Sequence, residues 1–116
     1  MMRQRLPNRR PSTTLDVWHN NERYHVSFSK DDSNRIKEFF VHGPKSGSDL
    51  DSIAYDIGAI ASVCMQWGAP LGELRNTLSR LPSGEAASFV GSILDALEPL
   101  DGLDMFQEYA RMYNNG

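Results

Sequence analysis

Cys64 is the only cysteine in the 116-residue chain, so neither an internal disulfide nor a cysteine-built zinc site can form. No apolar run approaches the ~20 residues that a membrane-spanning helix needs. The basic N-terminus meets Pro7 and Asn8 with no apolar stretch behind it, so no secretory leader is expected either. The single thiol fits a reducing, cytoplasmic location. What is present is 40% hydrophobic and 23% charged, the balance of one globular domain with a modest core.

The net charge is small but unevenly placed. The 12 basic and 15 acidic residues leave a formal charge of −3. Four of the basic residues, Arg3, Arg5, Arg9 and Arg10, fall in the first ten positions, so the rest of the chain is acidic. An acidic body repels phosphates, and the arginines have no aromatics between them, so nucleic acid is not an expected partner. Residues 1–11 read as a basic, flexible arm.

The front half alternates as strands do. Thr13 to His19 is rich in β-formers, and Asn20-Asn21-Glu22 is a turn cluster. Tyr24, Val26 and Phe28 then alternate with His25, Ser27 and Ser29. Asp31-Asp32-Ser33-Asn34 turns the chain into a third strand from Ile36 to Val41. The back half reads as helices. Ser48 stands at an N-cap position with Asp51 three residues on. Leu50, Ile53, Ala54, Ile57, Ile60, Ala61, Cys64 and Trp67 follow helical spacing up to Gly68 and are expected to form the core stripe. Leu71, Leu74, Leu78 and Leu81 mark a second helix after Pro70. Phe89, Val90, Ile93, Leu94 and Leu97 mark a third, stopped by Pro99, and Leu103, Phe106, Ala110 and Tyr113 mark a short last one.

Strands first and helices after predict an α+β fold: a three-stranded antiparallel sheet packed by three to four helices. The domain is expected over residues 12–100, with a short helix and a frayed tail over 101–116.

Few residues suggest chemistry. His19, His25, His42 and Cys64 lie at no recognised ligand spacing and read as rim histidines and a buried structural thiol. His19 and His25 flank one turn and are placed to face each other. Lys45, Ser46, Gly47 and Ser48 precede a helix N-terminus and form the weak candidate for anion binding through backbone N–H groups. Tyr55, Gly58, Ala59, Ser62 and Gln66 share the helical face opposite the large aliphatics, and small residues there imply close backbone packing. Gly58 is expected inside the domain and Gln66 at partial exposure.

Several short stretches, in order, resemble one family. Arg5-Leu6-Pro7-Asn8-Arg9-Arg10-Pro11-Ser12-Thr13, Lys37-Glu38-Phe39-Phe40-Val41 and Lys45-Ser46-Gly47-Ser48 are three of them. Ser62-Val63-Cys64-Met65-Gln66-Trp67-Gly68-Ala69-Pro70-Leu71 is the most specific, followed by Leu81-Pro82-Ser83-Gly84 and Ser92-Ile93-Leu94-Asp95. Together they resemble the TSCPD domain, the C-terminal region of adenosylcobalamin-dependent (class II) ribonucleotide reductases. The resemblance covers roughly residues 5 to 98, and small free-standing proteins of this type also exist. Reductase chemistry uses a thiyl radical and a pair of reducing cysteines in a large barrel. This chain is too short for that barrel, and its one cysteine cannot form the pair. No catalytic, metal or cofactor residue is therefore carried over, and adenosylcobalamin enters only through kinship.

The resemblance implies a non-catalytic accessory or interaction module in nucleotide metabolism, partnered by a ribonucleotide reductase or another protein. One alternative is a component of a ribonucleoside-diphosphate reductase acting with a separate catalytic chain. Another is a small anion- or nucleotide-binding module using Lys45 to Ser48. A homodimer, if formed, is expected to use a sheet edge or the last helix with Phe106, Tyr109 and Tyr113.

Overall fold

A computed structural model describes residues 2–113. The frayed end expected at Asn114 to Gly116 lies outside them. Three strands, β1 (Thr13–His19), β2 (Glu22–Lys30) and β3 (Ile36–His42), form an antiparallel meander in the order β1-β2-β3. Four helices follow: α1 (Asp49–Gln66), α2 (Leu71–Thr77), α3 (Phe89–Leu97) and α4 (Met105–Tyr113). The fold is the α+β arrangement that the order of patterns predicts. No helix among the described residues is long and apolar enough to cross a membrane.

The first hairpin turns on Asn20 and Asn21, both at positive φ (49° and 66°), with His19 paired to Glu22. That is the two-residue turn whose twist matches the strands, and asparagine tolerates it. The register puts Val26 opposite Leu15 and Val41, and Phe28 opposite Thr13 and Phe39. Tyr24, Val26, Phe28, Phe39 and Val41 thus share one face, all of them buried. Met65, Leu71, Ile93, Leu94, Leu97 and Leu100 close the core over them. The Phe89 ring stacks on Tyr24 at 4.6 Å.

The second helix is shorter than its leucine spacing implies. α2 ends at Thr77, and Leu78 is extended at ψ 152°, so Leu81 lies beyond it, exposed. A turn and the Arg80–Ala86 bridge fill the gap before α3.

The longest helix sits the other way round from the expected one. α1 lies along the free edge of β3 and turns its small residues inward. Ala54, Gly58 and Ser62 are buried, spaced one turn apart. The Ser62 hydroxyl accepts from the Phe39 N–H at 2.9 Å. Its single proton is shared between the carbonyls of Phe39 (3.0 Å) and Gly58 (2.8 Å). Backbone groups that would stand bare on an edge strand are thereby satisfied. A Cβ on Gly58 would lie 3.0 Å from the Phe39 carbonyl oxygen, tighter than ordinary contact with backbone that yields little, so the approach favours glycine.

The large aliphatics consequently point away. Ile53, Ile60, Cys64 and Trp67 are exposed, and Leu50 stands at the margin of exposure. Cys64 is therefore not the buried thiol that its apolar neighbours suggest. Gln66, expected at partial exposure, is buried: its amide donates to the Lys37 carbonyl and its Oε1 accepts from Arg3. Gly58 is inside the domain, as expected.

The N-terminal arm is docked rather than loose. The Gln4 N–H donates to the Gln66 carbonyl at 2.7 Å, and Arg10 forks onto the buried Glu38 carboxylate from the uncovered sheet face, with one arm at 2.8 Å. Two substitutions separate these roles. Ser62→Ala leaves the Phe39 N–H unpaired in the interior and is expected to cost about 1–3 kcal/mol. Cys64→Ser, on the outer surface, is expected to stay within about 0.5 kcal/mol of the parent. Chemical denaturation of both variants checks the contrast.

Candidate functional site

The Lys45–Ser48 turn folds around a carboxylate of its own. Ser48 caps α1 by accepting from the Asp51 N–H at 3.1 Å. Asp51 in turn accepts from the N–H of Gly43 at 2.8 Å and of Gly47 at 3.1 Å. These donors, Gly43 first, hold the Asp51 carboxyl below the usual carboxylate range, with His42 adding a smaller pull. Gly47 adopts φ 75°, which suits a residue without Cβ. The N–H groups that face inward in this turn thus bind Asp51, while Lys45 and Ser46 are exposed.

The histidines do not converge. Strand alternation places His19 on the helix-covered face. His25 lies on the opposite face, opposite Asp16 in register, with its Nδ1 2.7 Å from the Asp16 carboxylate. They cannot face each other, because six residues and a two-residue turn put them on different sides of the sheet. His42 pairs with His25 across β2 and β3, and its ring lies 6.1 Å from Tyr55. No group of three or more His, Cys, Asp or Glu among the described residues is placed to hold a metal.

A cleft of about 560 Å³ opens between the end of β1 and α3, lined by Trp18, His19, Glu85, Ser92 and Asp95. His19 Nδ1 stands 2.8 Å from Ser92 Oγ. A serine nucleophile needs an imidazole whose second nitrogen is oriented by a third group. Ser92 is the one hydrogen-bond partner of this imidazole among the described residues. The nearby carboxylate is committed elsewhere. Asp95 accepts from Arg80 at 2.5 and 2.8 Å and from Arg75 at 2.7 Å, tying α3 to α2 and to the turn after it. Arg80 foremost, then Arg75, outweighs partial burial and holds its carboxyl at about 2. The cleft is built from structural bonds.

What the surface does offer is apolar. α4 carries Met105, Phe106, Tyr109 and Tyr113 outward, Phe106 with 88% of its area exposed. The Tyr109 and Tyr113 rings lie 4.8 Å apart. The helix is held to the sheet by Glu108, which bonds Lys30 at 2.7 Å and Thr13 at 3.0 Å. Lys30 also donates to the carbonyls of Leu100 and Leu103. Neither Lys30 nor Glu108 stands out in the sequence, because 78 positions separate them and each reads as an ordinary surface charge.

No family model, curated protein or solved structure matches the chain.

The low Asp95 value carries a pH signature. A carboxyl held at about 2 in the folded chain, against about 3.9 when unfolded, adds stability that is complete above the unfolded value. That stability drains away as pH falls toward 2. Asp95→Asn is expected to lower the melting temperature near neutral pH and to flatten its fall between roughly pH 4 and pH 2. Thermal melts across that range, compared with the parent, check both effects.

Proposed function

We propose that this chain is a non-catalytic accessory module of nucleotide metabolism. It acts in the cytoplasm by docking on a protein partner, a ribonucleotide reductase chain first among them. The sequence resemblance to the TSCPD region of class II reductases supplies the partner class. The observation that carries the docking role is the aromatic ridge of α4. Exposed aromatic side chains on an anchored helix are the typical hot spots of protein interfaces. The Glu108 bonds to Lys30 and Thr13 hold that helix in place, so little ordering is left to be done on binding. In the cleft Asp95 is engaged in holding the fold, and in the Lys45–Ser48 turn the Gly47 N–H and Ser48 are engaged likewise, which favours docking over catalysis.

Titration of the purified chain into a purified reductase catalytic chain from the same source tests this reading. Saturable binding is expected, weakened more than about tenfold by Phe106→Ala or Tyr109→Ala, with the melting temperature unchanged. The isolated chain is expected to reduce no ribonucleotide, with or without adenosylcobalamin. Turnover by the chain alone, or no binding to the reductase, overturns the proposal. Turnover that appears only on mixing makes the chain a working component of the enzyme instead.

A further inference from the structure

Six residues on the outward side of α1 and its C-cap repeat at alternating intervals of three and four: Leu50, Ile53, Ile57, Ile60, Cys64 and Trp67. This is the spacing of the seam between two packed helices. All but the half-buried Ile57 are exposed, Ile60 to 66%. A continuous apolar strip of this kind on one rigid helix marks an interaction site.

The charges around the strip are bipolar. α1 contains three aspartates and no basic residue, and Asp49 and Asp56 are exposed in its N-terminal half. One cation, Lys45, lies in the loop ahead of it. Two cations stand at the C-terminal end: Arg3 donates to Gln66, and Lys37 reaches the Met65 carbonyl at 3.3 Å.

A parallel neighbour would set aspartates against aspartates. An antiparallel one sets each acidic end on the other's basic end, with the helix dipoles opposed. The seam is symmetric under that reversal. Leu50 meets Trp67, Ile53 meets Cys64 and Ile57 meets Ile60, three kinds of layer each formed twice about one centre. Such self-complementarity is what a two-fold interface requires.

We propose that the outward face of α1 is a homodimer interface, occupied by α1 of a second copy in antiparallel orientation. The surface is separate from the α4 ridge, so either assignment can fail without the other.

Light scattering and sedimentation over a dilution series read the mass. The full chain is expected to rise from 13.1 kDa toward twice that value with concentration. Ile60→Asp is expected to weaken the dimer more than about tenfold while melting like the parent at dilutions where both are single chains, whereas Phe106→Ala leaves the dimer intact. The orientation has its own readout. The two copies of Cys64 would stand about 16 Å apart along the helix axes, beyond the roughly 7 Å that a disulfide spans. The parent is thus expected to stay uncrosslinked on mild oxidation, whereas Ile53→Cys is expected to link to Cys64 of the second copy. A single-chain mass up to roughly 1 mM, a dimer that survives Ile60→Asp, or efficient crosslinking of the parent through Cys64 overturns the proposal.

Discussion

The hydroxyl of Ser62 against the backbone of Phe39 is the contact from which the arrangement of this protein follows. A three-stranded meander has two bare edges, and one of them is β3. Closing that edge with a helix demands that the two backbones come close. Only small side chains permit this, and Ala54, Gly58 and Ser62 supply them one turn apart. Ser62 then replaces the missing neighbouring strand, accepting one backbone hydrogen bond and sharing its own proton with the carbonyls of Phe39 and Gly58. Once that face of α1 is fixed on the sheet, rotation leaves no choice for the rest. The large aliphatics must stand outside.

A second set of contacts compensates for a small core. The segment after α3 buries Leu100 in the core and is stitched to the β2–β3 turn by polar bonds. Asp101 accepts from the Ile36 N–H and from Arg35, and the Gly102 N–H donates to the Asn34 carbonyl. Lys30 gathers two carbonyls and Glu108 at one ammonium group. Each such bond is modest in water, but several converging on one turn restrict the chain end cooperatively. The same logic applies at Arg10 and Glu38, where a leading arginine neutralises a carboxylate that strand alternation leaves on the uncovered side of the sheet.

Much of this architecture is legible from the residues. The alternation from Thr13 to His42 marks three strands, Ser48 with Asp51 marks the start of α1, and Pro99 marks the end of α3. The facing of α1 is not legible by hydropathy, because the rule that large apolar residues turn inward assumes packing on the flat of a sheet. Packing on an edge reverses it, and the visible clue was the Gly58 and Ser62 pair in mid-helix. The Leu78 and Leu81 spacing overstates α2 because Leu78 packs against the core from an extended backbone and Leu81 is exposed, so neither needs a helix to hold its place. The Lys45–Ser48 turn has the composition of an anion site, and only the position of the Asp51 carboxylate shows what those donors hold. The Lys30, Glu108 and Asp101 bonds join residues too far apart in sequence for any local pattern to pair them.

The edge-capping arrangement also bears on how the chain reaches its folded state. β1 pairs with β2, β2 with β3, and β3 with α1, so each large contact joins neighbours in sequence. Topologies dominated by such short-range contacts lose little loop entropy at each step and fold fast. The first 66 residues contain this whole relay. As the chain leaves the ribosome, sheet and capping helix can assemble before α3 exists, and the exposed strand edge is covered during the interval when it would be most open to wrong pairing.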